Sequence, residues 1–131
     1  MDILNYSKNF FNPITWNFSS CQNEIEKFVQ AAKNSGYKII GFIDDCHESE
    51  EAKFKWKSRR EANMSGETIR NLPYGISEIL GEMFRQCDVE VHYSIIDNDD
   101  TLAYYANYYN CIVLSNDKDF RRYQPRNYIV Y

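Results

Sequence analysis

Several things are scarce in this chain, and each scarcity removes a class of protein. No apolar run approaches the length that spans a bilayer. The first residues, MDILNY, show neither a basic segment nor a long apolar core, so no secretory signal is expected. The four cysteines, Cys21, Cys46, Cys87 and Cys111, form no CxxC pair and read as reduced thiols of an intracellular protein, nuclear or cytoplasmic. A zinc site from Cys46, His47 and His92 has no recognisable ligand spacing. Excess positive charge is missing too. The formal net charge is -4, which disfavours a nucleic-acid binder that relies on electrostatics alone. There is no repeat, no low-complexity tract and no internal linker.

What is present is ordinary for a globular chain, except in its aromatics. Hydrophobic residues make up 44% and aromatic residues 16% of 131 positions. At about 150 residues per domain, one domain is expected. Its core needs no disulfide or structural metal.

Helix and strand signals alternate along the chain, which favours an α/β layer fold. Ser19 and Gln22 have capping-box spacing, and Ile25, Phe28, Val29 and Ala32 then share one helical face, with Gly36 as the stop. Residues 37–43 (YKIIGFI) read as a buried strand ending in Asp44 and Asp45. In the charged stretch 48–64, Lys53, Lys57 and Arg60 fall at i, i+4, i+7, so a helix would align them. Phe54 and Trp56 are expected to pack on the core rather than stack on bases. Pro73 suits the first turn of a further helix, with Ile76, Ile79, Leu80, Met83 and Phe84 as its apolar stripe. Val89, Val91, Tyr93 and Ile95 alternate as one face of a strand, which leaves His92 on the other face. The next helix carries Leu102, Tyr105, Ala106 and Tyr109 on one side. Residues 112–114 are expected to form another strand, and residues 128–131 a last one. The eleven tyrosines are expected mostly in the core and at its boundary, and because Tyr104, Tyr105, Tyr108 and Tyr109 fall at helical spacings, base stacking by the whole set is not expected.

The position of the acids stands out. Asp44, Asp97 and Asp117 each follow a strand signal. In a parallel sheet those carboxyl ends share one edge, where open α/β sheets bind ligands. Asp99, Asp100 and Asp119 come within a few residues of them. Carboxylates crowded together repel, and a divalent cation relieves the repulsion. Oxygen-only ligands favour Mg²⁺ or Mn²⁺, as one ion or two, and such ions support phosphodiester hydrolysis. Each acid also has a plainer role: Asp97, Asp99 and Asp100 suit a helix start, and Asp44, Asp45, Asp117 and Asp119 suit turns. The basic residues are either a solvated helix face or a phosphate-contacting element.

Two stretches resemble a known family. Residues 111–120, CIVLSNDKDF, are similar to the C-V-L-S-N-D-S-D-F stretch of the asteroid family, part of the PIN-like XPG/flap-endonuclease group. Residues 97–106, DNDDTLAYYA, resemble that group's E-A-D-D-x-(I/L)-x-x-x-A signature. Phe42-Ile43-Asp44 with Lys53 and Arg60 resembles its F-D-G…K…R element, and Asp2-Ile3-Leu4-Asn5 its opening D-x-x-N. Asp97 stands where the family has Glu, Asp45 where it has Gly, and only Met1 precedes Asp2.

The resemblance implies one PIN-like domain over residues 1–131, a three-layer α/β fold with a mostly parallel central sheet flanked by helices. It implies a metal-dependent nuclease acting on RNA or DNA. Asp2, Asp44, Asp97, Asp99, Asp117 and Asp119 would bind metal, all but Asp2 counted as catalytic, with Asp100 a supporting acid. Lys53 and Arg60 would contact phosphates, and Lys57, aligned with them on a helix, is a third candidate. The expected activity is endonucleolytic, on single-stranded or overhanging nucleic acid. The rivals are a non-catalytic PIN-like module that binds nucleic acid or a protein partner, homodimers included, and, ranked lowest, a metal-dependent phosphatase or response-regulator-like domain.

Overall fold

The computed structural model describes residues 1–11, 17–44, 50, 54, 57, 58, 61, 75–95, 97–123, 128 and 129. Helices and parallel strands alternate through it. Asp2 caps a short helix α1 (Ile3–Tyr6), accepting a hydrogen bond from the Asn5 amide at 3.1 Å, and a 3₁₀ turn (Ser7–Asn9) comes next.

The long helix α2 (Phe18–Asn34) starts one residue before the expected cap. Asn17 is the residue that caps it, accepting from the Ser20 amide at 3.0 Å. An Asn carbonyl caps as well as a Ser hydroxyl does. Gln22 instead donates forward to Glu26 at 3.1 Å, so the Ser19–Gln22 box does not form. Cys21, Ile25 and Val29 form the buried stripe, with Phe28 and Ala32 half-buried beside it. Gly36 ends the helical segment at φ +80°, a conformation glycine adopts without a Cβ clash.

Strands β1 (Ile40–Asp44) and β2 (Glu90–Ser94) pair in parallel, from Ile40 opposite Glu90 to Asp44 opposite Ser94. The expected strand at 37–43 thus begins three residues late, with Tyr37 exposed. Strand β2 stops before Ile95, which is exposed. The Ser94 hydroxyl donates to Asn98 Oδ1 at 2.6 Å, and the backbone leaves the ladder for the next helix. Between the strands, α3 (Ile76–Gln86) buries Ile76, Leu80 and Phe84, while Ile79 faces outward. It starts at Ile76, after Gly75, and the expected Pro73 start lies outside the described residues. Gly81 lets α3 approach the strands: a Cβ there would run into the Tyr93 hydroxyl and come within 3.1 Å of Ile43 Cδ1.

Helix α4 (Asn98–Tyr109) leads to β3 (Val113–Leu114), which pairs in parallel with β4 (Tyr128–Ile129). Residues 1 and 2 join the two strand pairs. The Met1 amino nitrogen donates to Ile40 O and the Phe42 amide to Met1 O, both at 2.8 Å. The Asp2 amide donates to Leu114 O at 3.0 Å. The order is therefore β2, β1, residues 1–2, β3, β4, every neighbour parallel where pairing is defined. A single residue before Asp2 is enough to place it between the strands.

The two faces of these strands carry separate apolar clusters. Ile43, Val91 and Leu114 pack with Ile3, Ile25, Leu80 and Phe84. Ile40, Phe42 and Val113 pack with Leu102, Ala106 and Phe120 on the other face. Each fully buried Ile, Leu or Phe contributes about 1.5–3 kcal/mol. That alternation fixes the register on which the acidic edge depends.

Candidate metal centre

Parallel pairing brings the carboxyl ends of β1, β2 and β3 to one edge. Asp44 is the last residue of β1, while Asp97 and Asp117 each lie three residues past their strand. Two of the junctions use the same local device. Asp97 Oδ1 accepts from the Asp99 amide, capping α4, and Asp117 Oδ1 accepts from the Asp119 amide, capping a 3₁₀ helix (Lys118–Arg122), each at 2.9 Å. The plain capping role read for Asp97 is real, and Asp117 shares it.

Capping does not exhaust the edge. Asp99, Asp117 and Asp119 each place a carboxylate oxygen so that the three lie within 4.8 Å of one another. Asn5 Nδ2 donates to Asp117 Oδ2 at 3.2 Å, holding that carboxylate from a second side. Buried Ser115 sits behind it. Its hydroxyl accepts from the Asp117 amide at 3.1 Å and donates to Asp2 Oδ2 at 3.2 Å. Ser115 therefore ties the joining segment to the acidic edge.

The electrostatics come from crowding. Burial pushes the Asp99 carboxyl up to about 7, and the carboxylates of Asp117, Asp97, Asp2 and Asp119 push in the same direction. Burial also raises Asp2, against the hydrogen bonds from Asn5 and Ser115, and Asp117 adds to the rise. Crowded carboxylates that resist ionising together have the donor set of a hard divalent cation: oxygen only, with no thiolate or imidazole in the trio.

The other sequence candidates divide. Asp44 is exposed at the same edge, outside the converging trio. Asp100 accepts from the Tyr123 hydroxyl at 2.6 Å, the main reason that phenol is pushed up to about 12. Lys57 is exposed and helical; Lys53 and Arg60 lie outside the described residues, as do Asp45, Cys46, His47 and Trp56. Phe54, expected in the core, is 72% exposed. His92 is exposed as read from the alternation; it stacks on Phe42 at 5.3 Å and meets Glu90 Oε1 at 2.9 Å.

Arg122, with its Nη2 3.2 Å from Asp119 Oδ2, is a neighbour of the site that sequence reasoning missed. Its signal would have been its i+3 spacing from Asp119. Ser115 was visible only as one letter of the 111–120 motif.

No protein-family model and no solved structure matches the chain. Among curated proteins, the G protein-coupled receptor GPR1 of Saccharomyces cerevisiae is 24% identical over 119 residues, covering 84% of this chain. The chain spans 11% of that receptor's length. Among the described residues no helix is long and apolar enough to cross a membrane.

Proposed function

We propose that the chain is a PIN-like α/β nuclease that hydrolyses phosphodiester bonds with Mg²⁺ or Mn²⁺. The observation that carries this reading is the meeting of Asp99, Asp117 and Asp119 oxygens within 4.8 Å at the carboxyl edge of parallel strands. The two apolar clusters, one per face, support the three-layer arrangement. Oxygen-only donors fit these ions.

Asp99, Asp117 and Asp119 would hold the ion, with Asp2 behind them and Asp44 and Asp97 at the rim. Bound there, it supplies an activated water and charge for the attacking and leaving oxygens. Asn5 and Ser115 fix the Asp117 and Asp2 carboxylates, as outer-shell donors do in metal sites. Arg122 borders the trio and offers a cation to a phosphate. Lys53 and Arg60 would neutralise flanking phosphates, as the family resemblance implies, with Lys57 added by its i+4 spacing from Lys53.

One observation favours a second reading, a PIN-like module that binds nucleic acid or a protein without cutting. Asp97 and Asp117 each commit an oxygen to capping a helix.

End-labelled single-stranded RNA, single-stranded DNA and an overhang duplex, incubated with Mg²⁺, Mn²⁺ or EDTA beside Asp117→Asn, separate the two readings. Cutting that needs metal and is lost in the variant supports the nuclease. Folded protein that cuts none of the three overturns it in favour of the module.

A further inference from the structure

Helix α4 connects the acidic edge to an unusual surface. The eleven tyrosines were expected mostly in the core and at its boundary, yet Tyr104, Tyr108 and Tyr109 are 71%, 69% and 58% exposed. Tyr104 and Tyr108 stack on each other, with ring centroids 6.0 Å apart and planes 18° apart. Tyr108 meets Tyr109 edge-on at 4.8 Å. Asp100, Tyr104 and Tyr108 fall at i, i+4, i+8, one exposed row, and Asp97 caps its start. The row thus leaves the candidate metal centre along a helix about 18 Å long. At its start the Tyr123 hydroxyl holds Asp100, and the preceding residue, Arg122, is exposed.

The chemistry and position of this face select its partner. Between Leu102 and Asn110 the exposed positions are Tyr104, Asn107, Tyr108 and Tyr109, with no aliphatic side chain among them. Tyrosines also populate protein interfaces, so it is the row's continuity with the acidic edge that selects the occupant. Flat rings with polar tips, beside an amide, suit unpaired bases: every base has a π-face, and Asn can meet a base edge. Continuity with an edge that handles phosphodiesters, and a cation at the junction, point to the same occupant.

We propose that the Tyr104–Tyr108 row stacks the unpaired bases of a single strand whose backbone passes the acidic edge. This rests on the nuclease reading and adds to it the surface that would hold the unpaired strand.

The test is fluorescence anisotropy with short labelled oligo(dT), oligo(U) and a blunt duplex, in Ca²⁺, with cleavage in Mn²⁺ measured in parallel. Tyr104→Ala and Tyr108→Ala should each weaken oligonucleotide binding about five- to 150-fold, the range that about 1–3 kcal/mol of stacking gives. Tyr104→Phe should bind like the parent, whereas Tyr104→Leu, which keeps apolar area without a π-face, should bind like the Ala variant. The salt slope should stay unchanged, because stacking releases no counterions. Both positions are exposed, and far-UV circular dichroism checks that the variants fold. Unchanged oligonucleotide binding in the double Ala variant overturns the base platform; metal-dependent cutting then leaves the nuclease reading standing. Lost binding without any cutting in the parent keeps the platform and overturns the nuclease. Self-association of the parent that the double variant abolishes, with oligonucleotide binding intact, assigns the row to a second copy and overturns the proposal.

Discussion

The Asp97–Asp99 and Asp117–Asp119 junctions share a spacing, a capping hydrogen bond and a bond length of 2.9 Å. They differ in everything beyond two residues. Asp99 opens a 12-residue helix packed on β1 and β3, is half-buried and faces four other carboxylates. Asp119 opens a five-residue 3₁₀ helix that buries only Phe120 among residues 118–120, is itself exposed and pairs with Arg122. The local motif guarantees only the cap. The packing of the helix beyond it decides which second acid bears the charge of the whole edge.

The largest effect should come from the acid the two junctions share across space. Asp117→Asn keeps a side-chain oxygen for capping but removes charge from the trio. Metal-dependent cleavage should fall by about 10²–10³-fold, the scale of one lost electrostatic contact. Unchanged cleavage on a gel assay would break the link between trio and chemistry.

Asp99→Asn should stabilise the metal-free fold. Its carboxyl is raised to about 7 in the folded protein, from 3.8, so folding disfavours the charged form. The cost accrues as pH rises from about 4 and is complete above about 7. Solvent around a half-buried group screens most of that cost, leaving about 1 kcal/mol. In EDTA the variant should therefore melt about 4 °C higher at pH 8, with the gain gone below pH 4. Added Mn²⁺ should raise the parent's melting temperature and shift the variant's much less.

Removing a cap tests the feature the junctions have in common. Asp97→Ala should cost about 1 kcal/mol in urea unfolding, while Asp97→Asn, a good cap, should cost little. A drop in cleavage for Asp97→Asn at unchanged stability would give Asp97 a role beyond capping.

Asp119→Asn should change stability least, within about 0.5 kcal/mol, because its ion pair is exposed. Urea unfolding at low and high salt measures it. A larger loss would mean the two junctions are more alike than their burial indicates.

Much of the frame was legible from pattern. The Ile25–Val29 stripe, the Leu80–Phe84 stripe and the alternation through Val91 and Tyr93 reflect periods of 3.6 and 2, and burial obeys them. Cap choice at Asn17 was harder, since several polar residues near it compete and tertiary packing picks among them. The joining segment at residues 1–2 was beyond pattern, because two residues have no period. Its place shows only in hydrogen bonds to Ile40, Phe42 and Leu114, which are distant in sequence. The exposed rings of Phe54 and Tyr109, each expected on a packed face, were misjudged for a related reason. Hydrophobic type says a ring can be buried, and only the supply of neighbouring elements says whether it is.

The sequence by itself determined that strands end in acids and that such acids cap the next helical turn, because both are local effects of side chain on nearby backbone. Tertiary structure alone decided that Asp99, Asp117 and Asp119 meet, that Asn5 and Ser115 brace the edge, and that a tyrosine row leads away from it. Those depend on the parallel order of strands, set by long-range hydrogen bonds and two-sided burial that no window of sequence contains.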